Sequence, residues 1–163
     1  LERVEYSSHR ASLYEEPRVP RADWHFDAGY LFGASNRQHA GLFASYGARF
    51  DRSLFLGIGS GFIYGMVETL DMVIPVYGHL RAYLPVRGPI KPFVDLRPGY
   101  SFAPMHGISG FYGTALVGLD IWRFTCGAGI GTVCNAFDKH SLHDRTVTPF
   151  RATGLTLHIG MTL

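Results

Sequence analysis

Residues 54–65 read Leu54-Phe55-Leu56-Gly57-Ile58-Gly59-Ser60-Gly61-Phe62-Ile63-Tyr64-Gly65. Every second residue shares a face, which is the period of a β-strand. One face carries Leu54, Leu56, Ile58, Ser60, Phe62 and Tyr64; the other carries Phe55, Gly57, Gly59, Gly61, Ile63 and Gly65. In a half-buried soluble strand the second face would be polar. Here it is mostly empty. Glycines on a solvent face would only weaken the strand, so their absent side chains make room for something large opposite them.

The same alternation continues in both directions. Eight segments carry it: 23–34, 40–51, 53–67, 71–84, 92–103, 110–120, 122–135 and 153–163. In these segments the first face bears no charge. It includes Leu56, Ile58, Leu80, Leu96, Ile130 and Leu157. The second face bears Asp27, Arg49, Arg81, Asp95, Arg97, Asp120 and Arg123, with His25, His79 and His158. An eight-stranded barrel has an interior just wide enough for side chains to fill it. Long Arg and Tyr side chains fit there only if other strands contribute glycine. The charged face is therefore read as the inside and the apolar face as the outside, where lipid requires what water would not tolerate.

The links support this reading. Asp51-Arg52-Ser53, 85–91 and Asp120-Ile121 are turn-like, whereas 35–39, 68–71, 104–109 and 136–148 are mainly longer or more polar. In a meander the two sets fall at opposite ends, the layout of an outer-membrane barrel with both termini in the periplasm. Aromatic residues cluster toward strand ends, among them Trp24, Phe32, Phe50, Tyr64, Tyr100, Trp122 and Phe124. That is where interfacial girdles lie.

Composition agrees. The chain has 163 residues, room for one domain. It has 20 Gly, 12 Phe and 9 Tyr, and only 17% charged residues. Gly and aromatics disfavour a helical bundle. A formal net charge of +2 gives nucleic-acid binding no electrostatic support. No apolar run is long enough for a membrane helix. No stretch joins a basic start to an apolar core, so an exported protein is expected to have had its signal removed.

Several motifs carry a resemblance: Tyr46-Gly47-Ala48-Arg49-Phe50, Leu56-Gly57-Ile58-Gly59, Ile74-Pro75-Val76-Tyr77, Leu80-Arg81-Ala82-Tyr83-Leu84, Pro92-Phe93-Val94-Asp95, Gly99-Tyr100-Ser101-Phe102 and Gly110-Phe111-Tyr112. In this order they resemble the small eight-stranded outer-membrane barrels of Bacteroidota, of OmpA/OmpX-like type. The resemblance covers residues 23–163 and implies that fold, with periplasmic termini, but no particular activity. Two features depart from it. The chain ends on Leu163 where such barrels commonly end on an aromatic, and Pro75 and Pro98 fall inside strands. Each proline is expected to remove a ladder bond or mark a bulge.

Residues 1–22 lack a sustained period and are read as a periplasmic arm. They mix Glu and Arg with Tyr6, Leu13 and Tyr14, and Arg18 follows, a composition suited to folding on a protein partner. The inward charges are expected to plug the lumen as pairs rather than line a pore. His140, Ser141, His143 and Asp144 offer reactive types in the last loop without a ligand spacing. Cys126 and Cys134 lie eight residues apart on one strand face, roughly 26 Å, beyond disulfide reach.

The expectation is an outer-membrane barrel without catalysis, cofactor or metal. It contacts outer-membrane lipid, no nucleic acid, and other outer-membrane or periplasmic proteins of a larger complex as an accessory subunit. A lipid A-modifying enzyme is the second reading. The deacylase type places His-x-Ser and a carboxylate on the lipid side, where this chain offers only Ser60 and Thr132. The acyltransferase type uses His, Asp and Ser at the outer rim, which His39, Asp71 and Ser109 match by type alone. A soluble lipocalin-like carrier is the third.

Overall fold

A computed structural model describes residues 20–33, 38–50, 53–65, 72–86, 88–104, 108–138 and 147–163. The strands are β1 (Arg21–Gly33), β2 (Gln38–Phe50), β3 (Leu54–Gly65), β4 (Met72–Tyr83), β5 (Ile90–Ala103), β6 (Ile108–Ile121), β7 (Phe124–Asp138) and β8 (Val147–Thr162). Each pairs antiparallel with the next, and β8 pairs with β1, so the sheet closes into an eight-stranded barrel. The described residues contain no helix. Trp24 and Leu163 exchange backbone hydrogen bonds, which brings the start of β1 and the end of β8 to the same rim.

The two faces fall as the alternation places them. Along β3 the burial alternates residue by residue, with Phe55 and Ile63 inside and Leu56, Ile58 and Phe62 outside. The outside is apolar around the whole circumference: Leu42 on β2 is 66% exposed, Ile58 on β3 72% and Ile159 on β8 67%. Leu96, Ile130 and Leu157 are exposed on the same face, and Leu80 lies there half-buried among its neighbours. Aromatic side chains collect at the two rims. Trp24 packs on Tyr46 at 4.7 Å near the terminal rim, and Tyr30 on Phe32 at 4.6 Å near the other. Between Trp24 and Phe32 lie roughly 26 Å of strand, or about 20 Å along the axis at the usual tilt, close to the height of an apolar membrane band.

Glycine on the inner face makes room for bulky neighbours. A Cβ at Gly59 would come within 2.6 Å of the Tyr77 ring, at Gly118 within 2.5 Å of Phe93, and at Gly29 within 2.7 Å of His158. The small residue on one strand and the large one on another are thus two halves of one packing decision.

Both strand prolines remove ladder pairs without a bulge. The β3–β4 pairing stops after Ser60↔Val76 and resumes at Ile63↔Val73 in the same register, skipping Pro75. Ser60 Oγ donates to the Pro75 carbonyl at 2.9 Å. The β4–β5 pairing likewise omits Pro98 and continues in register at Leu80↔Leu96.

The sequence boundaries need three corrections. β1 begins at Arg21, so the barrel reaches two residues into the segment expected to be arm. The β6–β7 turn is Trp122-Arg123, not Asp120-Ile121, and Arg123 is exposed at the rim rather than inward. Trp122 holds φ 60°, a value that a two-residue hairpin requires and glycine more often supplies. Finally, β7 and β8 run into the segment expected as a loop, leaving only 139–146 between them. Among the described residues, the pairs from Asn135↔Phe150 to Asp138↔Val147, beyond the Cys134↔Arg151 pair, have no partner on β6 or β1. A hairpin that leaves the barrel no longer has an inside, so inside–outside alternation stops reporting it.

Replacing Gly59 with Val is expected to destabilise the barrel by about 1–3 kcal/mol by overpacking against Tyr77. Urea unfolding followed by the gel shift between folded and unfolded barrel measures it. Pairing it with Tyr77→Ala is expected to recover part of the loss.

Candidate lumen charge network

The inner face contains nine of the ten charged and histidine residues singled out by alternation, all but Arg123, and the strand register determines which of them meet. Arg81 on β4 and Asp95 on β5 are direct cross-strand partners. Arg81 Nη2 lies 2.8 Å from Asp95 Oδ2, and Arg81 Nε donates to the same oxygen at 2.9 Å. Arg97, two residues along on the same face, donates from Nε to Asp95 Oδ1 at 3.0 Å and from Nη1 to Asp27 Oδ2 at 2.8 Å. His79 Nε2 is 2.8 Å from Asp95 Oδ2, and His158 Nδ1 is 2.6 Å from Asp27 Oδ2. Asp95 and Arg97 are 0% exposed and Arg81 1%.

Burial of this kind is tolerable only because each ion has several partners. Aromatic rings complete the surroundings. The Arg81 guanidinium sits 4.1 Å above the Phe93 ring, and that of Arg97 lies 5.7 Å from the Tyr77 ring. His25 joins through Nδ1, 2.9 Å from Thr162 Oγ1 and 3.4 Å from Arg81 Nη1.

Arg49 stands apart from this centre. It lies 2.6 Å from Asp23 through Nε and donates to the Tyr83 hydroxyl at 3.3 Å, near the terminal rim. Sequence reasoning passed over Asp23 because it opens the first segment. It placed Asp120 on the inner face without a partner; there Asp120 accepts from Thr125 Oγ1 at 2.6 Å and meets Arg81 at 3.4 Å. Their inward position was available from the alternation; their partners were not.

Ser45 was also missed as a partner. Its Oγ is 2.6 Å from His79 Nδ1, so Ser45, His79 and Asp95 form a hydrogen-bonded chain of the types used in acyl transfer. Ser45 and His79 are each 1% exposed, and Asp95 is also held by two guanidiniums. An acyl substrate reaches that hydroxyl only if the barrel opens, so the chain reads as part of the lumen's polar network.

Above the charges, Leu31, Phe43, Ile63, Val73, Tyr77, Tyr112, Val133 and Ala152 form an apolar cluster. A cavity of about 20 Å³ beside it, lined in part by Gly29, Gly41, Thr114 and His158, has room for about one water.

The remaining expected site residues are placed as follows. Cys126 and Cys134 are both free thiols on the outer side of β7. Ser60 and Thr132 are on the outer face, while His39 faces inward and is buried near the upper rim. Tyr6, Leu13, Tyr14, Arg18, Asp71, His140, Ser141, His143 and Asp144 lie outside the described residues. Among the described residues, no group of three or more His, Cys, Asp or Glu is arranged to hold a metal.

Asp95→Ala is expected to destabilise the folded barrel by about 3–5 kcal/mol, because two buried guanidiniums lose their common partner. Replacing Arg81 and Arg97 with Met in the same background, together with Asp27→Asn so that no buried carboxylate is left without its cation, is expected to restore much of it. Chemical unfolding of the three proteins in parallel tests this.

No family model matches the chain, and no curated protein does. Among solved structures it is similar to the crystal structure of Neisserial surface protein A, with a TM-score of 0.51 and 13% sequence identity. The match covers 86% of this chain and 94% of that one, so the likeness extends over the whole barrel and is one of fold.

Proposed function

We propose that the chain is an integral outer-membrane β-barrel with a structural or accessory-subunit role in an envelope complex, its lumen plugged by charged pairs. The observation that carries this reading is the outer face: apolar, exposed and continuous over eight strands, with every buried ion turned inward. In water such a surface would drive aggregation; in a bilayer it is the required surface. The fold shared with Neisserial surface protein A supports the same placement. Its place among the barrels of Bacteroidota rests on the sequence motifs. The start of β1 and the end of β8 share a rim with the short β6–β7 turn, which favours a periplasmic position for that rim.

The absence of catalysis is part of this proposal. Its support is that the serine–histidine–aspartate chain is walled off and that, up to the Cys134↔Arg151 pair, the outer face of the described strands carries no histidine or carboxylate. With lipid outside and packed side chains inside, recognition of other proteins falls to the loops and to the arm containing Tyr6, Leu13, Tyr14 and Arg18.

Wild-type protein in planar bilayers is expected to show no steady large ion conductance; such a conductance would refute the plug. Leu80→Arg, near the middle of the apolar band, is expected to cost about 2–4 kcal/mol for folding into vesicles. An unchanged folding equilibrium would contradict lipid contact there. A protein lacking residues 1–20 is expected to insert normally but to lose its co-purifying envelope proteins. Unchanged co-purification would move the contact to the loops.

A further inference from the structure

From the lower rim up to the Cys134↔Arg151 pair, the outer face of the described strands carries one charged residue. Arg151 on β8 pairs in register with Cys134 on β7 and is exposed on the same side as Leu155 and Leu157. Its Nε donates to Thr153 Oγ1 at 3.3 Å, and Thr153 Oγ1 lies 2.9 Å from Thr132 Oγ1. No acid among the described residues is within ion-pair distance of it. Among the described residues the two terminal nitrogens of the guanidinium have no partner, and of the two hydroxyls beside it, which share one hydrogen bond, one keeps a proton to donate to an outside acceptor.

Its height matters as much as its charge. Thr132↔Thr153 lies just above the last β1–β8 pair, Gly33↔Gly154, and Arg151 one step further out. That is the level of the upper aromatic rim, where Phe32, Tyr100, Phe102 and Phe111 are exposed. Below it, Leu155, Ile130 and Leu157 continue the apolar surface downward. A cation with hydroxyls at the top and an uninterrupted apolar wall beneath matches a molecule with an anionic head and acyl chains.

The geometry points to Arg151, Thr153 and Thr132 as a binding site for the phosphate of a phosphorylated glycolipid of lipid A type in the leaflet at the loop end. Arg151 forms the charge-assisted bonds, the two threonines complete the cradle, and an acyl chain follows Leu155 and Leu157. This inference rests on the outer-membrane reading above.

The test uses the full chain in phosphatidylcholine vesicles doped with equal amounts of bis-phosphorylated and dephosphorylated lipid A. Protease protection reports insertion, and native mass spectrometry of the released barrel reports which lipid it retains. Wild type is expected to favour the phosphorylated lipid by about fivefold, the factor one Arg contributes near an anionic surface. Arg151→Gln is expected to abolish most of that preference and Thr153→Val to reduce it. Arg123→Gln, at the opposite rim, is expected to leave it largely intact. Insertion with no preference in wild type, or an equal loss in the Arg123 and Arg151 variants, overturns the site while leaving the barrel reading standing. Failure of the wild type to insert overturns both.

Discussion

At the centre of the barrel two guanidiniums, from Arg81 and Arg97, share the carboxylate of Asp95 with no solvent between them. The rest of the molecule is arranged around keeping that contact satisfied. Neither cation can reach water without breaking the wall, and neither can be left unpaired without a cost of several kcal/mol. Asp27, Asp120, His79 and the rings of Phe93 and Tyr77 supply the remaining contacts. An apolar filling of similar volume would serve stability about as well. What the charges add is direction. A slip of one residue in any strand would turn its ions toward lipid, so the network penalises every register but one.

Volume follows from charge. Arg, Tyr, Phe and His side chains cannot all fit in an eight-stranded interior unless other positions are vacant. Gly59 beneath Tyr77, Gly29 beneath His158 and Gly118 beneath Phe93 are those vacancies. β3 contributes little to its own stability, since glycine is a weak strand former. Closure of the sheet and the packing of neighbouring strands' side chains over β3 hold it in place. The apolar exterior is then the complement of a polar interior, and on the proposed reading it is the surface that meets lipid. Arg151, placed where the apolar wall ends, marks that boundary on the chain.

Much of this was legible because period-two alternation reports direction without reference to any partner. Once Leu56 and Ile58 are outside, Gly57 and Phe55 are inside, and the same logic orients Asp95, Arg97 and Asp27. Alternation does not report height. That Arg81 faces Asp95 squarely, or that Arg49 meets Asp23 instead of the central cluster, depends on turn lengths and strand stagger. Ser45 was invisible as a partner of His79 for the same reason. The turn at Trp122-Arg123 was misplaced because a tryptophan at positive φ does not look like a turn residue. The upper part of the β7–β8 hairpin was missed because, outside the barrel, nothing imposes an alternation to read.

The central claim is that β3 has lipid on one side and a packed lumen on the other. Spin labels placed singly along Leu54–Gly65, with Cys126 and Cys134 replaced by Ala, measure this directly in vesicles. Collisions with dissolved oxygen are expected to peak at positions 56, 58 and 62 and to fall at 55, 57 and 63, with a polar relaxation agent reaching none of the six. A polar agent colliding freely at 56, 58 and 62, or an oxygen pattern of opposite phase, would contradict the account.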